Sequence, residues 1–280
     1  MPIAHHGQVE LYYETLGSAD APTLMMINGG GSQCIAFDEA WCQRFVDRGL
    51  RVLRFDNRDV GLSTHLTDAP AGSRGECYVL SDMAADAVPV LDDAGIDAAH
   101  VLGLSLGAMI AQVMAIEHPQ RVLTITSALG NTGEPGYGDA SPEIVKMFNT
   151  PHDGAEATIA WYVAGMRLCG SPAFVDDQAT AALWRGQIER SFDPAGAARQ
   201  TYAMYASGSR ADALRTVRTP TLVIHGDKDT LVNRSGGRRT AELVPGARFE
   251  LIEGMGHDFP PQLWDRLVDL ITEHISTHSA

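Results

Sequence analysis

The sequence predicts an α/β fold with a mostly parallel, doubly wound sheet and a helical insertion. Three observations predict it. Short runs rich in Val, Ile and Leu alternate with stretches of helical spacing. The later runs are apolar throughout, as strands buried on both faces of a parallel sheet must be. The alternation then stops over residues 131–213, where no strand pattern is visible.

Taken in order, the strand candidates are 8–15 (QVELYYET), 22–29 (PTLMMING), 51–56 (RVLRFD), 100–105 (HVLGLS), 121–127 (RVLTITS), 220–226 (PTLVIHG) and 247–254 (ARFELIEG). Helix candidates fall between and after them at 38–48, 78–95 (closed by Gly95), 106–117, 234–244 and 260–277. Such alternation builds right-handed βαβ units, hence helices on both faces of one sheet. The first two strands leave no room for a helix between them, so they are expected to be antiparallel at one end of the sheet.

The 131–213 stretch opens on the turn-rich GNTGEPGYGDASPE and continues with helical segments carrying Trp161, Tyr162, Met166, Trp184, Tyr202, Met204 and Tyr205. The expected organisation is therefore a core from 1–130 and 214–280, with 131–213 as a helical cap, or lid, over the carboxyl ends of the strands. Large side chains at helical spacing are read first as packing inside that cap and only second as a pocket lining.

A chain of 280 residues fits one α/β domain with an insertion. Its 35 Asp and Glu against 21 Lys and Arg give a formal charge of -14, which repels phosphate backbones and argues against nucleic acid as a partner. MPIAHHGQVELYY lacks a basic region followed by an apolar one, and no apolar run approaches the ~18 residues of a membrane span. The expectation is a cytoplasmic protein with no membrane partner. Cys34, Cys42, Cys77 and Cys169 form no CxxC pair and have no closely set histidines, so they are expected as free thiols rather than metal ligands. His5, His6 and His118 show no ligand spacing either.

The chemistry is concentrated where the 100–105 strand meets the 106–117 helix. Gly103, Ser105 and Gly107 form a G-x-S-x-G at that joint. A turn tight enough to expose a hydroxyl there forces its residue into a strained conformation, and neighbours two residues away must lack bulk. A serine hydroxyl needs a base to act as a nucleophile, and the base needs an orienting acid. Asp227 and Asp229 follow the 220–226 strand, and His257 follows the last strand between Gly254 and Pro260. The order Ser, Asp, His, with each member after a strand, makes Ser105 the nucleophile and His257 the base, with Asp227 and Asp229 both open as the acid. His225 reads as a packed side chain of its strand.

The oxyanion formed by such an attack needs donors. The N–H of Leu106, next to the nucleophile, supplies one. The glycine-rich NGGGSQ (28–33) offers others, and it contains neither G-x-G-x-x-G nor GK[ST], so no nucleotide cofactor is expected.

NGGG (28–31), FDNRDVGLS (55–63), GLSLG (103–107), HGDKD (225–229) and GMGH (254–257) together resemble the α/β-hydrolase superfamily over essentially the whole chain. FDNRDVGLST, HVLGLSLGAMIAQVMA and IEGMGH look most like the aclacinomycin methylesterase-type esterases. The resemblance implies an α/β-hydrolase fold with a helical cap, cleavage of a small-molecule carboxylic ester without cofactor or metal, and a covalent acyl-enzyme. It implies Asp229 rather than Asp227 as the acid, since family loops of the form G-x-x-D carry the acid last, and it implies the Gly30 N–H as the first oxyanion donor. Asn28 stands where many members have His. Position 105 is Ser, unlike the carboxylate nucleophiles of haloalkane dehalogenases and epoxide hydrolases. Lactonase, thioesterase or perhydrolase activity by the same triad, or a non-catalytic ligand-binding protein on the same fold, are the alternatives.

Overall fold

The computed structural model describes residues 2–67 and 77–278. Its eight strands are β1 (Ile3–His6), β2 (Val9–Leu16), β3 (Thr23–Ile27), β4 (Arg51–Phe55), β5 (Ala99–Leu104), β6 (Val122–Ala128), β7 (Thr221–Gly226) and β8 (Arg248–Ile252), in the order β1-β2-β4-β3-β5-β6-β7-β8. From β4 to β8 every neighbouring pair is parallel. All seven strands expected from the sequence are present, and so are the five helices: α1 (Glu39–Val46), α2 (Leu80–Asp93), α3 (Leu106–Glu117), α9 (Ser235–Leu243) and α10 (Trp264–Thr277).

The sheet corrects the sequence in two places. β1, with only Ala4 buried in IAHH, was too short and polar to be seen; it makes a hairpin with β2 through Gly7, whose φ is 61°. β2 is antiparallel as expected, but its inner partner is β4, not β3. β3 is buried at all five positions, whereas β2 is buried only at Leu11, Tyr12 and Tyr13, with both its ends accessible. A strand apolar on both sides needs a neighbour on each edge and a helix on each face, so β3 lies inside the sheet and β2 toward its rim.

Alternation along each strand builds the two cores. Met25 and Ile27 of β3 pack with Met83, Ala87 and Val90 of α2 and Met109 and Val113 of α3 on one face. Leu24 and Met26 face Trp41 and Phe45 of α1 and Leu267, Val268 and Ile271 of α10 on the other. Ten of the twelve residues of α3 are buried, which is why its sequence is apolar all round and not amphipathic.

Between β6 and β7 the described chain is helical: α4 (Pro142–Phe148), α5 (Ala155–Cys169), α6 (Asp177–Arg190), α7 (Pro194–Ala206) and α8 (Ala211–Leu214). Ser141 caps α4, accepting from the Ile144 N–H ahead of Pro142 at the first helical position; Asp176 caps α6 through the Gln178 and Ala179 N–H groups. The aromatic residues bind this segment together. Phe148 and Trp161 meet edge to face, Trp161 and Tyr162 likewise, and Tyr162 stacks on Trp184 of α6. α8 runs one residue past the expected boundary, because Leu214 is fully buried in the core of the sheet.

Candidate active site

Ser105 occupies the joint between β5 and α3 with φ 56° and ψ −114°. A non-glycine residue at positive φ costs on the order of 1–3 kcal/mol, so the surroundings must impose it. They do so through the backbone: the Ser105 N–H donates to Ala128 O of β6 at 2.8 Å, and its carbonyl accepts from Ala108 at 3.0 Å. A side chain at Gly103 would collide with the Gly107 carbonyl, and one at Gly107 with the Ile27 carbonyl. Ser105 is partly accessible, and among the described residues its hydroxyl has no hydrogen-bond partner. A free hydroxyl on a strained turn is available to a substrate, and catalytic hydrogen bonds commonly close only in the loaded site.

The loop after β3 lies against this turn. A Cβ on Gly29 would stand 3.4 Å from Ser105 Cβ, and one on Gly30 would stand 3.7 Å from Leu106 Cδ2. Asn28, buried, ties the loop to itself: its Oδ1 accepts from the Gly29 N–H at 2.9 Å and its Nδ2 donates to Gln33 O at 2.9 Å. The Gly31 N–H donates to Gln200 Oε1 of α7 at 2.8 Å. Of the three glycine N–H groups, two are thus engaged by side chains, and among the described residues Gly30 keeps its own. Leu106, the first residue of α3, has no acceptor one turn earlier in the helix for its N–H. The positive end of α3 lies at the same place.

At the ends of β7 and β8 the structure brings Asp229, not Asp227, to His257. His257 Nδ1–H donates to Asp229 Oδ2 at 2.7 Å. The nitrogen carries the proton, because a carboxylate only accepts. Asp229 Oδ1 accepts from the Leu231 and Val232 N–H groups, both at 2.9 Å. Burial would raise the Asp229 pKa, but the His257 charge and the hydrogen bonds from His225 and His257 outweigh it and bring the carboxyl down to about 2. Asp227 braces the turn instead, accepting from the Gly254 N–H at 2.6 Å and facing Lys228 Nζ at 3.1 Å.

The helical segment holds the histidine loop. The His257 N–H donates to Cys169 O at 2.6 Å, and a side chain on Gly256 would run into the Gly170 backbone. Ser171, fully buried, donates from N–H and Oγ–H to Asp258 Oδ1 at 2.8 and 2.6 Å while its Oγ accepts from the Gly256 N–H at 2.9 Å. Burial pushes the Asp258 carboxyl up, against the lowering pull of Ser171 and His257.

FDNRDVGLS has its own task. Asp56 Oδ2 accepts from Arg190 of α6 at 2.7 Å, and Asp59 is gripped by Arg199 of α7 through Nε at 2.9 Å and Nη2 at 2.7 Å, with the Tyr78 hydroxyl adding a third bond. Both carboxylates are fully buried. These pairs, with Gln33 reaching Gln187 and Ser191, bolt α6 and α7 to the loops after β3 and β4. The ligand atoms of Asp59, His65 and Asp193 lie within 4.8 Å of one another, as in a metal cluster, but Arg199 donates to both carboxylates and fills the cation position.

Sequence reading did not single out Gln33, Ser171, Arg190, Arg199, Gln200 or Asp258, because each acts on a partner far away in the chain. His225, a packed strand residue by sequence, is fully buried, and its Nε2 lies 3.4 Å from Asp229 Oδ2.

The chain belongs to the α/β-hydrolase fold family, whose model matches residues 22–261. It is 30% identical over 296 residues to the rhodomycin D methylesterase DnrP of Streptomyces peucetius, with 95% of each chain covered, so the resemblance to methylesterases of this type holds. It is 24% identical to 3-oxoadipate enol-lactonase 2 of Acinetobacter baylyi over 99% of this chain and 100% of that one. Among solved structures, a meta-cleavage product hydrolase from Pseudomonas fluorescens IP01 superposes with a TM-score of 0.81 at 18% identity, covering 99% and 98% of the two chains. No helix among the described residues is long and apolar enough to cross a membrane.

Proposed function

We propose that the protein is a cofactor-independent serine hydrolase that cleaves a small carboxylic ester through a covalent acyl-enzyme. The observation that carries the reading is the Asp229–His257 hydrogen bond at 2.7 Å, at the same carboxyl-terminal end of the strands as a serine held at positive φ. Ser105 Oγ attacks the ester carbon while His257 Nε2 takes its proton; Asp229 keeps the other ring nitrogen protonated and stabilises the imidazolium. The tetrahedral oxyanion is met by the Gly30 and Leu106 N–H groups, each such donor being worth about 3 kcal/mol in the transition state. His257 returns its proton to the leaving alcohol, then activates water to release the acid and restore Ser105.

In this reading 131–213 is the cap, and the Gly31–Gln200 and Gly256–Ser171 bonds mean that it supports both the oxyanion loop and the base. Similarity to a methylesterase makes a methyl ester of a carboxylic acid the first substrate to try. Lactone opening is the second reading, favoured by the enol-lactonase relative, because a lactone is an ester whose alcohol stays tethered.

A fluorophosphonate should label the wild-type protein at Ser105, located by mass spectrometry, and Ser105→Ala should abolish both the label and turnover of p-nitrophenyl esters down to the residue left by binding alone, a loss of about 10⁶-fold in kcat. Undiminished turnover in Ser105→Ala would end the proposal; an unlabelled wild type would favour a ligand-binding protein. Methyl esters and lactones compared on the same preparation separate the two substrate readings.

A further inference from the structure

We propose that His225 is a positioning residue for the acid of the triad, a second imidazole that shares its Nε2–H between the Val232 carbonyl and Asp229 Oδ2. The inference rests on the serine-hydrolase reading above and adds to it a residue outside the Ser-His-Asp set.

His225 sits in β7 with no exposed surface. Its Nε2 is 2.7 Å from Val232 O and 3.4 Å from Asp229 Oδ2. A carbonyl and a carboxylate oxygen have no proton to give, so the proton between them belongs to Nε2. The other nitrogen supports the same assignment. Nδ1 is buried without a hydrogen-bond partner among the described residues, and it faces Gly237 of α9, where any side chain would strike the ring. An N–H at that position would be stranded, whereas a bare lone pair is tolerated.

Asp229 is therefore held from four directions: two backbone N–H groups on Oδ1, and His257 and His225 on Oδ2. Of the two rings, His257 must gain and lose a proton during each turnover, while His225 is locked by Val232 and Gly237. It keeps the carboxylate plane aimed at His257 through the cycle. The other ionisable groups against Asp229 are Cys169 from the end of α5 and Asp258 from the histidine loop. A negative charge on Asp258 opposes the one on Asp229, so a further donor to Asp229 has a specific task. Asp227 and Lys228, on the same turn, pair with each other.

The test is the rate at which a fluorophosphonate modifies Ser105, followed against pH in the wild type, His225→Met and His225→Gln. A packing role would leave the pH profile of folded protein unmoved in both variants. The positioning role predicts that His225→Met lowers the rate about tenfold, the scale of one lost hydrogen bond to a charged group. It also moves the acid limb to higher pH, because an Asp229 stripped of one donor holds the His257 proton more tightly. His225→Gln, whose amide nitrogen can reach the same acceptors, should recover both. Folded His225→Met with an unmoved limb, or His225→Gln no better than His225→Met, would overturn the inference. Nitrogen NMR of ¹⁵N-histidine-labelled protein should find the His225 proton on Nε2, and a proton on Nδ1 would overturn it even if neither variant folds. A wild type that does not react at Ser105 would overturn the hydrolase reading, and the ring-proton assignment would still stand on its own.

Discussion

The turn that carries Ser105 and the loop that carries His257 are built in opposite ways. Every contact that forces Ser105 to positive φ comes from the sheet and the helix it starts: Ala128 of β6, Ile27 of β3, and Gly103 and Gly107 two residues to either side. The histidine loop is held from outside the sheet, by Cys169, Gly170 and Ser171 at the end of α5. Ser105 is thus placed by the core, and His257 jointly by the core and the 131–213 segment.

The contrast can be broken at the core first. Gly107→Ala puts a Cβ into the Ile27 carbonyl, so it should destabilise the protein by more than about 4 kcal/mol, at the exceptional end for single substitutions. Loss of soluble protein, or a collapse of the thermal midpoint, is the measurement; a normally folded variant would mean the turn is looser than described. Arg199→Met attacks the segment's attachment. It leaves Asp59 buried without its guanidinium and should cost roughly 3–5 kcal/mol. Because Gln200, the next residue, holds Gly31, the folded remainder should also lose kcat. A stability loss with unaltered kcat would mean that the loop after β3 does not depend on the segment.

Acid provides a milder probe. The folded Asp229 pKa, about 2, lies below its ordinary value of 3.8. This carboxylate therefore contributes stability that is full above about pH 4 and is lost as pH falls through about 2, a contribution on the order of 2 kcal/mol. Denaturant midpoints of wild type and Asp229→Asn should converge over that interval; a constant gap would contradict the low pKa. The smallest effect is expected from Ser171→Ala, which removes two hydrogen bonds from the histidine loop while leaving the Ser105 turn untouched. It should lower stability by about 1 kcal/mol and kcat by about tenfold. An unchanged kcat in that variant would mean that the loop holds itself and would erase the contrast between the two regions.

The two regions also differ in how they showed in the sequence. Gly103 and Gly107 stand two positions from Ser105, so their steric role is a local pattern, and the strands before Asp229 and His257 are local patterns as well. The grip of the helical segment is not local. Gly31 and Gln200 are 169 positions apart, and Asp59 and Arg199 are 140 apart. A buried Arg or Gln in an amphipathic helix looks like any polar residue until its acceptor is known. His225 and Asp229 are four apart, but a strand end and a turn lie between them, so helical spacing gave no warning that they face each other.

The sequence by itself determined the class of fold, the strands and helices of the core, and the tight turn at Ser105, because these rest on hydrophobic period and on steric demands within a few residues. It also left Asp227 and Asp229 both open as the partner of His257. The tertiary structure decided which of the two faces His257, that β2 lies beside β4, which glycine N–H is left unspent, and how α5, α6 and α7 reach the loops of the sheet. Those outcomes depend on donors and acceptors meeting across long loops. Burial makes each such meeting obligatory, but only the folded chain says which partner is there.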